Sequence, residues 1–544
     1  MAQAKNTWLP FLLAAALAVG LLLGYAYRSS GPLLVVNPAG SGVSGPDRLE
    51  EILRFVDARY VDEADTEALR EAAINAALEQ LDPHSSYIPA DEVAAIAESM
   101  QGNFQGIGIE YLVVDDTITV VTALSDGPSE KAGIRSGDQI IAVGDSIVTG
   151  VVEYGIDPAS LMRGAAETDV ALTILRPGEN EPRTFVVTRG EIPVFSVDAA
   201  YKIDENTAYV KVNRFAETTR DEFVRALEQH LEKGEGHSLI LDLRDNPGGY
   251  MNVAVGMLSQ IFPEKDLLMV YTEGRNSRRY EYKTDGRAFY NIRNVAILVD
   301  EGSASASEIV AGAIQDHDRG IIVGRRTFGK GLVQEQYPLS DSSALRLTIA
   351  RYYTPSGRSI QRNYDDGETA YRSDIGQRFE SGELTGDADF VQDSSQLYYT
   401  DNGHPVFGGG GITPDYFVPL DTTLNDEVFL RLRQQIPSYL FTYLRENAWV
   451  TSYTDAEEYI RKFAVKLDDV LPGLYARAER DYEEGIGDLA PRFRKPLALY
   501  FKARLARQLY DNSTYYRILN QDDEIVNTAL RLMNTNDPLA EARR

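Results

Sequence analysis

Three serines alternate with small residues in "DEGSASASEIVAGAIQDHDRG", residues 300–320: Ser303, Ser305 and Ser307. A serine acts as a nucleophile where a sharp turn exposes its hydroxyl and a base can take its proton. The turn is written here. "VAILVD" (295–300) reads as a buried strand, Gly302, Ala304 and Ala306 relieve crowding, and an apolar helical stretch follows. The unpaired N–H groups at a helix start favour negative charge developing beside such a serine. The competing reading is that Ser303 or Ser305 only caps the helix.

The base is less obvious. His317 lies on the same helical stretch as Ser305, twelve residues on. At ~1.5 Å per residue that is ~18 Å, whereas a base must come within ~2.6–3.2 Å of its proton donor. His84, His230, His237 and His404 fall in turns or polar stretches without an Asp set to orient them, which predicts surface positions. A Ser-His-Asp arrangement is disfavoured, and lysine is the other known activator. "GRRTFGKGLVQEQ" sets Lys330 between two glycines in apolar surroundings. Desolvation favours the neutral amine, and flanking glycines permit close backbone approach. Gln334 could hold that amine without adding charge, where a Glu would favour the ammonium form. Contact between the two requires a distorted strand, because full extension separates their Cα atoms by ~13 Å. The alternative is an ordinary strand lysine.

The elements around these residues alternate strand and helix. From 191 to 423, runs such as "TAYVKVNRF", "SLILDLRDNPGG" and "VAILVD" are strand-like, with "TRDEFVRALEQHLEK", "VAVGMLSQIF" and "SASEIVAGAIQD" helix-like between them. This predicts an α/β core, interrupted by a polar, acidic surface insertion near 363–404. Residues 101–190 are short β-type runs with Gly turns, including a hairpin with Asp115–Asp116 at its tip. Residues 47–100 read as a small helical region with Asp65 as an N-cap, and 424–544 as a helical C-terminal domain. Residues 29–46 are a Gly/Ser/Pro linker.

The first 28 residues contain "WLPFLLAAALAVGLLLGYAY" (8–27), uncharged throughout. Twenty helical residues span the ~30 Å hydrocarbon core of a bilayer, and Trp8, Tyr25 and Tyr27 sit near its ends. A single-pass anchor is expected, with a cleaved signal peptide as the alternative; either exports the remainder. The formal net charge is −28, which argues against nucleic acid as a partner. With no cysteine, the chain has no disulfide, thiol nucleophile or Cys-ligated zinc.

"GSASASEIVAGAIQDHDRGIIVGRRTFGKGLVQ", "LDPHSSYIP", "GIGIE", "RDNPGG", "YYTPSGRSIQ" and "GITPD" resemble the signature segments of the C-terminal processing peptidases, or tail-specific proteases, in the same order from about Leu81 to Pro419. The resemblance implies a Ser-Lys dyad assisted by Gln. Ser305 matches the nucleophile, Lys330 the base and Gln334 the residue that orients it. It also implies an oxyanion hole of backbone N–H groups, here Gly248 or Gly249 with Ala306. The 101–190 block resembles a PDZ domain, in which Gly106, Ile107, Gly108 and Ile109 would present N–H groups to a peptide's terminal carboxylate. The fold class so implied is an α/β protease core of mixed sheet and helices, with an inserted or preceding PDZ domain, an N-terminal membrane anchor and a helical C-terminal domain. The implied function is a membrane-tethered or exported serine endopeptidase that recognises C-terminal tails. It needs no metal or other cofactor and works on the extracytoplasmic side of a bacterial inner membrane. The C-terminal helices are expected to serve a second copy or an adaptor. Two other readings stand beside it: a catalytically silent PDZ scaffold at the membrane, and an acyl-thioester enzyme on a similar core.

Overall fold

The computed structural model describes residues 48–152, 154–231, 236–388, 394–482 and 485–543. The expected anchor (8–27) and linker lie outside these residues. Among the described residues no helix is long and apolar enough to cross a membrane. The chain divides into two compact units, 1–73 and 74–544.

In the first unit, α1 (Arg48–Arg59) buries Leu53. Helix α2 (Thr66–Leu78) runs across the division, and Asp65 Oδ1 accepts the N–H groups of Glu67 and Ala68 at 3.1 and 3.0 Å, so the expected N-cap is present.

In the second unit, β1 (Ser86–Ile88) and α3 (Ala90–Gln101) lead into β2 (Asn103–Gly106). An antiparallel sheet follows: β3 (Ile109–Val114), β4 (Thr117–Ala123), β5 (Gln139–Val143), β6 (Ser146–Ile147), β7 (Asp169–Leu175) and β8 (Arg183–Thr188), in the order β3-β4-β5-β7-β8 with β6 beside β5. Alternate residues of β7, Val170, Leu172 and Ile174, point into its core with Ile118, Val120 and Ile140. Asp115 and Asp116 have φ of 48° and 58°, the left-handed pair that a two-residue hairpin requires, so the expected tip is found. Strand β9 (Gly190–Pro193) pairs with β2, and this ribbon joins the entry and exit of the subdomain.

The core sheet contains β10 (Val197–Lys202), β11 (Thr207–Val212), β12 (His237–Asp242), β15 (Ile292–Val299), β16 (Ile321–Gly324) and β21 (Tyr416–Phe417), in that spatial order. All its pairings are parallel except β10–β11. Every residue of β11 is buried, as expected for a strand covered on both faces. One cover is α6 (Thr219–His230), α7 (Met251–Ile261) and α8 (Ala306–Asp316). The other comes from the far end of the chain. α15 (Glu524–Met533) and α16 (Pro538–Ala542) lay Ile525, Val526, Ala529, Leu532 and Ala542 against Ile240, Ala296, Leu298, Ile321 and Val323. The region from 424 on is therefore not one separate body. Helices α10 (Glu427–Glu446), α12 (Leu467–Asp481) and α13 (Arg494–Leu509) share a core of their own, while α15 and α16 are the back layer of the α/β core. An amphipathic period shows that a helix buries one face, not what it buries it against.

A second sheet holds β1, β18 (Ala344–Tyr353), β13 (Lys265–Glu273) and β14 (Tyr280–Asp285), with β17 (Leu332–Pro338) on β18. The 363–404 stretch is more ordered than a surface insertion. It forms α9 (Glu368–Glu380) and a hairpin of β19 (Leu397–Tyr399) and β20 (Pro405–Phe407). Tyr371 and Arg378 of α9 are buried, and Arg378 Nη1 donates to the Thr327 carbonyl at 2.9 Å. The polar composition there supplies ion pairs to buried arginines, among them Arg378–Asp374 at 2.8 Å, so polarity alone misplaces it at the surface.

Candidate active site

The parallel strands β12 and β15 end at the same edge, where loops from both converge, the usual place for a site in a parallel α/β sheet. The loop after β15 carries the three serines, and its neighbours sort them. Asp300 Oδ1 accepts the N–H groups of Gly302, Ser303 and, from the other loop, Asp245, at 3.0, 3.1 and 2.9 Å. Ser303 Oγ donates to the Leu243 carbonyl at 2.8 Å, and Ser307 Oγ to the Asn246 carbonyl at 2.9 Å; both serines are fully buried. They fasten one loop to the other. Ser305, half-buried, stands at the N-cap of α8 with φ 55° and ψ −112°, a conformation that L-residues rarely adopt. The position expected for the nucleophile and the cap position are thus the same residue.

Glycines in the facing loop make room for it. A Cβ at Gly248 (φ +102°) would lie 2.7 Å from Ser305 Cβ and 2.8 Å from the Ala304 carbonyl. Gly248→Ala should therefore lower kcat/KM by at least ~10-fold through displacement of Ser305; a steady-state peptide assay checks this, and wild-type turnover would show the contact to be slack. The Gly248 N–H donates to Asn246 Oδ1 at 2.9 Å, so of the two expected oxyanion donors it is the one already engaged. Among the described residues the Gly249 and Ala306 N–H groups have no acceptor.

Lys330 and Gln334 meet as the spacing requires. Lys330 Nζ donates to Gln334 Oε1 at 2.9 Å. The strand is distorted to allow it: β17 begins only at Leu332, and the register with β18 shifts between Val333 and Gln334. Gln334 Nε2 donates to the His84 carbonyl, which fixes the amide so that its oxygen faces Lys330. The His84 turn is itself built on Asp82, whose Oδ1 accepts from His84 N and Ser85 N, both at 2.9 Å, and from Thr348 Oγ1 at 3.0 Å. Burial lowers the Lys330 pKa, and the charge of Arg346 lowers it further; Glu308 and Asp82 act the other way. Ser305 Oγ and Lys330 Nζ share no hydrogen bond, and such bonds are often long before substrate arrives.

The residue that joins the two halves was not singled out from the sequence. Glu308, fully buried on the first turn of α8, accepts four hydrogen bonds. Its Oε2 takes Ser305 N at 2.8 Å and Lys330 N at 2.9 Å; its Oε1 takes Gly329 N at 2.7 Å and Thr327 Oγ1 at 2.6 Å. Burial pushes its pKa up to about 7 against the pull of these bonds. Tyr352 adds a second tie, its hydroxyl facing the Ser305 and Lys330 carbonyls at 3.1 and 2.6 Å. The S-x-x-E spacing from Ser305 to Glu308 is a capping-box pattern and was the available signal.

The histidines need correction. His237 is buried, and His84 is half-buried with its ring Nε2 2.8 Å from the Tyr371 hydroxyl. Burial first, then the Lys330 charge, lower the His84 pKa to about 4. The surface expectation fails because the turn around His84 packs under Gln334. His317 lies away from Ser305 as its spacing predicts; its ring nitrogens meet Asp401 Oδ2 and the Leu268 carbonyl, each at 2.7 Å.

Away from this edge, Gly106 ends β2, and the Ile107 carbonyl accepts Ser129 N and Ser129 Oγ at 3.1 and 2.6 Å. Gly108 has φ +70°, and Ile109 begins β3. β3 is an edge strand: among the described residues nothing pairs with its second side. An open edge of this kind can accept an added strand.

The model of peptidase family S41 matches residues 206–368. The chain is 36% identical over 371 residues to a carboxy-terminal-processing protease of Bartonella bacilliformis, an overlap of 63% of this chain and 83% of that protein. It is 34% identical over 323 residues to the carboxy-terminal processing protease CtpB of Bacillus subtilis, covering 58% of this chain and 65% of that one. Among solved structures, the photosystem II D1 C-terminal processing protease matches at 30% identity with a TM-score of 0.32, over 57% of this chain and 88% of the other.

Proposed function

The chain belongs to peptidase family S41, the carboxy-terminal-processing serine proteases, and from that premise we propose that it cleaves exported proteins near their C-termini through Ser305, Lys330 and Gln334. The observation that carries this reading is the 2.9 Å bond from Lys330 Nζ to Gln334 Oε1, on a segment that Glu308 ties to the backbone of Ser305.

Neutral Lys330 takes the Ser305 proton as Oγ attacks the scissile carbonyl, forming the C–O bond of a tetrahedral intermediate. The oxyanion is received by the N–H groups of Gly249 and Ala306. The Lys330 ammonium then protonates the leaving amine as the C–N bond breaks, giving an acyl-enzyme and one free product. Water, deprotonated by Lys330, attacks the ester; Ser305 recovers its proton and the second product leaves. Gln334, held by His84, keeps the amine in place without adding a charge that would favour its protonated form.

The 101–190 subdomain reads as a PDZ domain whose 106–109 segment and β3 edge receive the substrate tail as an added strand. The apolar segment 8–27 anchors the protein in the inner membrane with the catalytic part outside the cytoplasm, or is removed on export. The helices from 427 to 509 are the candidate surface for an adaptor or a second copy.

The test is cleavage of an unfolded protein with an apolar C-terminal tail, followed by mass spectrometry of the fragments. Wild type should release C-terminal fragments, and Ser305→Ala should release none. Equal turnover by Ser305→Ala removes the assignment.

A further inference from the structure

The catalytic face carries one more cation. In the β17–β18 pair, Gln334 stands opposite Thr348 and Gln336 opposite Arg346. Residues directly opposite in an antiparallel pair share a face, so all four project to one side. That side is the catalytic one, since Gln334 meets Lys330 there and Thr348 meets Asp82. From the other flank, β1 sets Ser86 opposite Arg346. Diagonal neighbours lie ~7–8 Å apart, a span that an arginine side chain covers.

Arg346 is half-buried and differs from the other arginines close to the site. Arg325 pairs with Glu301 at 2.7 Å, Arg326 with Glu383 at 2.6 Å, Arg358 with Asp316 at 2.8 Å and Arg362 with Asp374 at 2.5 Å. No carboxylate of the described residues pairs with Arg346. This occurs in a chain with 82 acidic and 54 basic side chains, where a partner is easy to supply.

We propose that Arg346 is a positioning residue for the base: its unpaired guanidinium, on the same sheet face as Gln334, adds to burial in biasing Lys330 toward the neutral form that can accept the Ser305 proton. This rests on the reading of Lys330 as the base. The other groups around the amine explain why such a charge is needed. Glu308 on α8 and Asp82 on the turn before β1 both favour the ammonium. His84 on that turn, its pKa lowered to about 4, is neutral at physiological pH. Tyr352 on β18 and Tyr371 on α9 are held protonated by burial. Arg346 is thus the counterweight to two carboxylates, and a salt-bridge partner on it would cancel its field.

The experiment is the kcat/KM–pH profile of the full chain carrying Arg346→Gln, Arg346→Glu or Arg346→Lys, on a peptide without acidic residues. The ascending limb should move up by about one pH unit in Arg346→Gln, further in Arg346→Glu, and stay in place in Arg346→Lys. The high-pH plateau and the melting temperature should match wild type in Arg346→Gln. An unmoved limb in Arg346→Gln overturns the proposal. So does a rise in KM confined to acidic substrates with the limb in place, which would make Arg346 a substrate contact. Lys330→Ala separates the two layers: if that variant keeps a wild-type limb, the base assignment fails and not merely the role of Arg346.

Discussion

Lys330→Ala is expected to lower kcat by about 10²–10⁴-fold, the usual contribution of a positioned general base, with KM nearly unchanged. Among the described residues no second base stands in reserve. His317 is held between Asp401 and Leu268, and the His84 ring is turned to Tyr371. The pH profile gives the same group an independent signature. The Lys330 pKa lies below its ordinary 10.5, chiefly through burial. Below that pKa the neutral fraction falls tenfold per unit, so log(kcat/KM) should rise with pH at a slope of one. Glu308 steepens it. All four of its partners are donors, so the carboxylate is the form that holds the site, and its pKa is about 7. Below pH 7 the slope should approach two. Rates of a neutral peptide substrate from pH 5.5 to 10 check this, and a flat profile would contradict it.

Glu308→Gln should cost about 100-fold in kcat/KM or more, the scale of a misplaced catalytic group, although the two side chains have almost the same shape. The amide must turn its NH₂ toward one pair of donors, either Ser305 N and Lys330 N or Gly329 N and Thr327 Oγ1. Two donors are then left facing a donor, each at about 1–3 kcal/mol. Relief of a buried carboxylate offsets part of that, so the melting temperature should fall less than the activity suggests. The stability linkage has its own sign. The native state keeps the Glu308 proton up to about pH 7, while the unfolded chain releases it near 4.5. Stability from this group therefore declines as pH rises through that window, and Glu308→Gln should abolish the decline in denaturant titrations run at pH 5 and pH 8. Wild-type turnover in Glu308→Gln would show that the two loops keep their register without it.

What the sequence made legible was local chemistry. Ser305 at a strand–helix junction, Lys330 between glycines and Gln334 four residues on are short-range patterns, and the required distortion of β17 followed from spacing alone. The hairpin tip at Asp115–Asp116 was readable for the same reason. What stayed hidden depends on segments far apart in the chain. His84 looked like a turn residue because nothing near it announces Gln334, 250 positions on. Gly248 and Gly249 were equivalent until Asn246 engaged one of them. Arg378 belonged to a polar stretch until its guanidinium was found under the base loop.

Arg244 makes bonds of 3.0, 3.1 and 2.6 Å to Asp242 at the end of β12, and its Nη1 reaches Asp523, the N-cap of α15, at 2.8 Å. The strand that presents one of the catalytic loops is therefore sealed by a residue 279 positions further along the chain. Without α15 and α16 the side of the sheet that carries Ile240, Ala296, Leu298, Ile321 and Val323 would be bare apolar surface. The hydrolytic centre therefore depends on the helix that follows Asp523 as well as on the loops that carry its residues.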